Sequence, residues 1–352
     1  MPSQILHVLF GEDVIGRLCD VSEMENVGHF SLRFGGVRDK IFREYRGAFA
    51  LGCQGPDIFY HSQRHKPAAV QYGSLLHRRG FGVFSASLLK MALSSGEIDS
   101  LGSYALGFMT HAALDRFCHP YIIYFCGEGY HSFFERIIDV LMLKELRRQN
   151  PVSLGLEEIL AGICENPPPG IKEFLERSLA AAFPERANKD RSLARRIDNA
   201  FIDCARFYRI TSPVKIKSAF SASGGGQRTF TRRALSYVYP ENLPAEIDFL
   251  NLNQRSWRYP YIPANGKMPR EDNRSFLEIY SDTVNAAVDN IAPCVIRYLE
   301  SGEFSIAEAA EKIGNNGLSI QNEEEKPCAP NLTDPLPLAD VMNEQAKYRG
   351  VE

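Results

Sequence analysis

The sequence lacks the features that mark several large classes of protein. No apolar run approaches the ~18 residues that cross a bilayer. The first residues, MPSQILHVLFGEDVIGRL, have no basic start and are interrupted by Glu12 and Asp13, so they do not indicate a secretory signal. The formal net charge is only -3, which provides no basic field for nucleic acid or an anionic membrane. None of the 8 cysteines forms a CxxC pair, so we expect reduced thiols and a cytoplasmic location.

Strand patterns are also scarce, whereas the helical spacing of apolar residues recurs along the chain. The composition, 44% hydrophobic and 24% charged over 352 residues, is that of an ordinary globular protein. Helices are predicted near 5–19, 38–53, 84–95, 101–119, 130–149, 155–165, 171–183, 189–209, 272–301 and 304–313, with a short one at 243–252. The sequence therefore predicts an all-α, multi-helix domain over residues 1–315. The polar, proline-rich residues 316–352 are expected to form a disordered tail.

One short segment concentrates side chains that bind metals. It holds three of the 8 histidines of the chain together with two carboxylates. Residues four apart on a helix differ by about 40° in rotation and about 6 Å in rise, so they share one face. Pro120 predicts that the first of the two helices ends or bends at His119. Imidazole and carboxylate together suit zinc. The five residues are His111, Asp115, His119, His131 and Glu135.

Each of these features also has an ordinary structural interpretation. A single histidine–carboxylate pair at this spacing is more often a helix salt bridge than a metal site, but the two pairs together favour metal. Upstream, Asp57 could cap a turn, His77 could be a partly exposed helix residue, and His7 could be a core histidine. His61 could be a spare ligand or a surface residue. Asp139, one turn beyond Glu135, could orient a ligand or be a surface charge.

Three segments of the chain resemble the zinc-dependent phospholipase C family. They read GPDIFYH, YALGFMTHAALDRFCHPYI and HSFFERIID, and the resemblance is best over residues 1 to about 145. That family includes secreted bacterial enzymes that hydrolyse phosphatidylcholine, and it is related in fold to fungal zinc-dependent single-strand nucleases. The resemblance implies an all-helical fold of the phospholipase C/nuclease kind. It also implies two or three zinc ions, with their ligands in residues 1–150.

The resemblance further implies a role for each of eight side chains. Asp57, His77, His111 and Asp115 would form one zinc site. His119, His131 and Glu135 would form a second. His7 would join Asp115 at a third, and Asp57 would also be the catalytic base.

The third site departs from the family pattern. Secreted members use the amino group and carbonyl of an N-terminal tryptophan as ligands. This sequence begins Met1-Pro2-Ser3, and its single tryptophan is Trp257. The third site could therefore be lost, weakly occupied or completed by another group.

The resemblance implies a metal-dependent phosphoester hydrolase that attacks a phosphodiester, with phospholipid as one candidate, by metal-activated water. Two alternatives stay open. A nuclease or nucleotide phosphohydrolase would use the same metals, with Arg78, Arg79 and Arg116 as candidate cations, although the sequence gives no strong nucleic-acid signal. A catalytically inactive, metal-stabilised helical scaffold would need closed metal sites. No adjacent His-Asp pair occurs, which excludes an HD-type phosphohydrolase.

Overall fold

The structure is a computed structural model that describes residues 4–24, 36–94, 98–213, 235–264, 267–301 and 305–348. The first half of the described chain is helical. Its elements are α1 (Gln4–Met24), α2 (Val37–Asp39), a π-helical turn (Lys40–Glu44), α3 (Arg46–Cys53), α4 (Asp57–Tyr60), α5 (Val70–Leu76), α6 (Phe81–Ala92), α7 (Ser100–Cys126) and α8 (His131–Arg147).

The second half adds further helices and one small sheet. The elements are α9 (Pro151–Leu154), α10 (Leu156–Glu165), α11 (Ile171–Ala182), α12 (Pro184–Lys189), α13 (Leu193–Thr211), β1 (Trp257–Arg258), β2 (Glu271–Asp272), α14 (Phe276–Ser301), α15 (Ile306–Ile313) and α16 (Leu338–Tyr348). The two strands pair antiparallel, with Trp257 opposite Asp272. The all-α fold class is confirmed.

The longest described helix, α7, lies at the centre of the fold. Asp99 caps its first turn by accepting bonds from the backbone N–H groups of Leu101 and Gly102, both at 2.9 Å. Most α7 side chains are buried, and the helix contacts α1, α3, α6, α8 and α14. At the crossing with α3, a Cβ on Gly52 would overlap the carbonyl of Tyr104, so the glycine allows the two backbones to touch. This close crossing fixes α7 relative to the chain that precedes Asp57.

One helix extends further than a helix end at His119 would allow, and one predicted short helix is absent. Pro120 does not end α7 at His119, because the helix continues to Cys126. Residues 243–252 contain turns and no helix.

Residues 316–352, for which a disordered tail is predicted, are described by the structure up to Tyr348. Leu318, Ile320, Leu338, Val341 and Met342 are all at most 3% exposed. The backbone N–H of Leu336 donates to the carbonyl of Phe125 at 2.9 Å, and α16 follows. A few buried apolar side chains thus attach this polar segment to the helical core. They are too few to change its average composition, which is typical of disorder. Residues 349–352 lie outside the described part of the chain.

One hydrophobic core extends from Ile5 to Met342 and includes residues of every long helix that the structure describes. The boundary at residue 315 stays a prediction. Six of the described cysteines are buried, at positions 19, 53, 118, 126, 164 and 204. Within the described residues, no helix is long and apolar enough to cross a membrane.

Candidate metal centre

The eight side chains singled out by the sequence come together in the fold. They form three groups, and within each group one potential ligand atom per residue lies within 4.8 Å of the others. His111 belongs to two of the groups. The groups are His7 with His111 and Asp115, Asp57 with His77 and His111, and His119 with His131 and Glu135.

Five elements deliver these side chains. Helix α7 carries His111, Asp115 and His119 on one stripe, as their spacing predicts. Helix α8 contributes His131 and Glu135, and α1 contributes His7. Asp57 begins α4, and His77 follows the last residue of α5. Short, widely separated stretches of sequence therefore build one centre around the middle of α7.

The residue two positions before α4, Gly55, has a backbone conformation and a close contact that require glycine. Gly55 has φ +54°, a left-handed conformation, and a Cβ there would overlap the imidazole of His111. The backbone thus passes directly against His111 before Asp57 begins its helix. The cap of α4 is Pro56, and the Asp57 side chain makes no capping bond, so the interpretation of Asp57 as a turn cap is wrong.

Asp115 is the hub of the centre. Its Oδ1 lies 3.3 Å from Nε2 of His7, and its Oδ2 lies 3.2 Å from Nε2 of His111. The same carboxylate is 3.7 Å from Nε2 of His77 and 3.9 Å from Nε2 of His119. Asp57 pairs with His77 at 3.1 Å. One carboxylate on α7 therefore faces four imidazoles, which come from α1, from the end of α5 and from α7 itself.

The third group lies at the α7–α8 interface. Glu135 Oε1 is 3.1 Å from Nε2 of His131 and 3.5 Å from Nε2 of His119. Glu135 is 4% exposed, whereas a third of the His131 side chain is exposed. This group therefore has one edge open to solvent and one edge against the hub at Asp115.

Three imidazoles are oriented from behind by backbone carbonyls. Their Nδ1 atoms lie 2.9 Å from Gly73 O for His77, 3.1 Å from Cys53 O for His111 and 2.8 Å from Leu318 O for His119. An Nδ1–H that donates to a carbonyl leaves the Nε2 lone pair free on the opposite side. All three Nε2 atoms face the carboxylates, which is how metal-ligating histidines are commonly held.

The pKa shifts in the centre favour ionised carboxylates beside protonated imidazole in the metal-free protein. Burial would raise the pKa of Asp115, but His119 and His111 hold it well below its usual value. Burial likewise opposes ionisation of Glu135, yet His131 keeps its pKa well below normal. Burial would lower the pKa of His119, but the charges of Asp115 and Glu135 raise it to about 9. The carboxylates are therefore anionic over the ordinary pH range.

Buried imidazole nitrogens without hydrogen-bond partners give a second reason, independent of residue spacing, to assign a divalent metal here. Nε2 of His111 is fully buried and lies 3.2 Å from Asp115 Oδ2, yet it is not aligned to make a hydrogen bond. The rings of His7 and His111 are stacked with centroids 4.0 Å apart, and Nδ1 of His7 is buried without a hydrogen-bond partner. Buried polar atoms without a hydrogen-bond partner are costly unless a ligand satisfies them. Mixed nitrogen and oxygen donors suit zinc.

Asp139 has a role that the sequence interpretation missed. It is fully buried, and it accepts bonds from the backbone N–H groups of Ile5 at 3.4 Å and Leu6 at 2.8 Å, in the first turn of α1. The adjacent Arg136 is also fully buried, and its guanidinium stacks 4.3 Å from the ring of Tyr239. Asp139 therefore anchors the helix that carries His7. Its position one turn beyond Glu135 was a visible signal, and because Asp139 is fully buried, the interpretation as a surface charge is wrong.

The three remaining histidines and Arg116 lie outside the three groups. His61 stacks on Phe207 with ring centroids 4.0 Å apart, and burial lowers its pKa to about 4. His65 pairs with Asp203 at 2.6 Å. His29 lies outside the described residues. Arg116, a candidate cation for nucleic acid, instead bonds backbone carbonyls that follow α15.

Comparison with known proteins gives one match. A family model described as zinc-dependent phospholipase C matches residues 25–203, just over half of the chain. The matched range contains every residue of the three groups except His7. No curated protein and no solved structure is similar enough to match.

Proposed function

The chain belongs to the zinc-dependent phospholipase C family, and from this premise we propose that it is a zinc-dependent hydrolase that cleaves a phosphodiester, with phospholipid as its substrate class. The observation that carries the proposal is the convergence of eight potential nitrogen and oxygen ligands in three groups, two of which share His111, around the carboxylate of Asp115.

The donor sets suggest which residues would hold the ions. Two or three zinc ions are expected, and Asp115 faces members of all three groups. Bound zinc would lower the pKa of a water molecule and neutralise charge on the phosphate. The proposed ligands are His7, Asp57, His77, His111, Asp115, His119, His131 and Glu135.

Asp57 is the proposed catalytic carboxylate. It is 7% exposed, and although burial would raise its pKa, the adjacent imidazoles of His77 and His111 hold the pKa below its usual value. A carboxylate of such low basicity accepts a hydrogen bond more readily than a whole proton. Its main contribution is therefore to align the attacking water and to take its proton only as the new bond to phosphorus forms.

A small cavity lies beside the hub, with room for little more than an ion or a water molecule. Its wall combines the polar side chains of the centre with aliphatic and aromatic ones, and it includes no lysine or arginine. The described residues that line it are Leu6, His7, Leu114, Asp115, Cys118, His119, Ile122, Glu135, Ile138 and Phe276. A polyanion would need cations there, and Arg116 is engaged elsewhere.

The proposal is tested by hydrolysis of phosphatidylcholine vesicles, with release of phosphocholine as the readout. Chelation should abolish release, and added zinc should restore it. Asp57→Asn should lower kcat by about 10²- to 10⁴-fold. Asp203→Asn, which changes a buried aspartate paired with a histidine outside the three groups, should not.

Other outcomes would point to the alternatives. Cleavage of single-stranded DNA but not vesicles would favour the nuclease. Stoichiometric zinc with no hydrolysis of either substrate would favour the scaffold. A well-folded protein that binds no zinc by elemental analysis would refute both the proposal and these alternatives. The cytoplasmic location stays a prediction.

A further inference from the structure

A short segment that begins at the last residue of α15, Ile313–Leu318, lies against the metal centre; we refer to it as the strap. It is more than a hundred residues beyond the part of the chain that the family model matches. The guanidinium of Arg116, on α7, donates to a series of its backbone carbonyls. The acceptors are the carbonyl of Ile313, that of Gly314 at 2.8 Å, that of Asn316 at 3.2 Å and that of Gly317 at 3.4 Å. One side chain thus bonds four of the six backbone carbonyls of the strap.

The last residue of the strap connects two groups of the centre through its backbone. The N–H of Leu318 donates to the carbonyl of His77 at 2.9 Å, and its carbonyl accepts from Nδ1 of His119 at 2.8 Å. Leu318 is fully buried, so water does not compete for these bonds. The bond to His119 holds the imidazole with Nε2 toward Glu135, 3.5 Å away.

The strap is fixed at its other end as well. The carbonyl of Asn315 accepts from the backbone N–H of Gly80 at 3.0 Å, and its side chain accepts from the N–H of Val83 at 3.0 Å. Gly314 has φ +86°, and a Cβ there would lie 2.9 Å from Nη1 of Arg116. The guanidinium therefore packs directly on a backbone that only glycine adopts without strain.

We infer that Arg116 is a positioning residue for the His119–His131–Glu135 group, acting through the strap and the carbonyl of Leu318. The inference rests on the proposed function, because it assigns zinc to this group. Arginine is suited to the role because its planar fork bonds several carbonyls at once, whereas a lysine ammonium is a single charge on a flexible stem. Loss of the fork lets Leu318 move away from His119, and the imidazole then rotates freely.

The test compares variants on both sides of this contact with a matched control. Arg116→Ala removes the fork, Arg116→Lys keeps its charge, and Gly314→Ala disturbs the same contact from the strap. The control is Arg274→Lys, because Arg274 is also a partly buried arginine with several bonds, but its partners are Asp272 and Asp282. Elemental analysis and competition with a zinc chelator measure the stoichiometry and affinity of zinc for each full-length protein.

The second readout is the Nδ1–H resonance of His119 in the zinc-loaded protein, followed by ¹H–¹⁵N NMR. In the wild type we expect a slowly exchanging proton, because it donates to a buried carbonyl. In the Arg116 variants we expect rapid exchange of this proton and a 10- to 100-fold loss of affinity for one ion. Gly314→Ala should shift both quantities in the same direction, and Arg274→Lys should change neither.

The outcomes separate this inference from the proposed function. If the wild type binds zinc and the Arg116 variants match it in affinity and in exchange of the His119 proton, the inference is overturned and the proposed function is unaffected. If the wild type itself binds no zinc, both are overturned. If Arg116→Ala does not fold, Arg116→Lys and Gly314→Ala still decide the question.

Discussion

Replacing the hub carboxylate by its neutral isostere, Asp115→Asn, should weaken every metal group it faces. The gross attraction between Asp115 and one singly charged partner at the observed 3.2 Å is about 5 kcal/mol at an effective dielectric constant of about 20. Even if three quarters of this is offset by dehydration and by the amide oxygen, about 1.3 kcal/mol remains, close to a tenfold change in affinity. Because Asp115 faces four histidines, the effect should reach more than one ion.

The assay is zinc content after dialysis against a chelator of known affinity. We expect Asp115→Asn to lose at least one ion per chain and to bind the remaining zinc at least about tenfold more weakly. Asp203→Asn is the matched control, since it also neutralises a buried aspartate that bonds a histidine, and it should keep the wild-type content. Equal zinc content and affinity in wild type and Asp115→Asn would refute the assignment of Asp115 as the hub.

Three further perturbations test other parts of the account. Asp115 raises the pKa of His119 from 6.5 to about 9, so protonated His119 should stabilise the metal-free fold fully below about pH 6.5. The free energy of unfolding in urea should therefore fall as the pH rises through 9, and this fall should be absent in His119→Gln. Asp139→Ala should lower the free energy of unfolding by about 2–4 kcal/mol, and Asp139→Asn should lower it by less. Equal free energies of unfolding in Asp139→Ala and the wild type would contradict the role of Asp139 as the anchor of α1. Gly52→Ala should lower the thermal midpoint because its methyl would overlap α7, a cost of about 1–3 kcal/mol. Gly162→Ala, in a helix with open space, should not lower it.

Local sequence carries much of this centre. His111, Asp115 and His119 share a stripe of α7, and His131 and Glu135 share one of α8, so residue spacing alone predicted two of the stripes. The helices themselves were predictable because apolar periodicity persists over their length.

Tertiary contacts determine the rest, which spacing does not reveal. His7 lies 3.3 Å from Asp115 on a helix whose first turn is held by Asp139, more than a hundred residues away. The orientation of His119 depends on a carbonyl at residue 318, in a segment whose polar composition predicted disorder. Backbone groups carry no sequence signature, so neither contact could be inferred from residue types.

Pro120 illustrates a second limit. Proline disfavours helical geometry in the residue before it, and His119 was therefore expected at a helix end or bend. The structure continues α7 to Cys126, where Tyr121 and Phe125 are buried against Trp257 and other aromatic side chains. Packing of this kind outweighs a local preference of a few kcal/mol.

The most direct test of the central claim is anomalous scattering at the zinc absorption edge from crystals of the zinc-loaded protein. The account predicts two or three peaks, each about 2.0–2.2 Å from imidazole nitrogens or carboxylate oxygens. One should lie among His119, His131 and Glu135, and at least one beside Asp115. Well-ordered side chains at these positions with no anomalous peak between them would contradict the account.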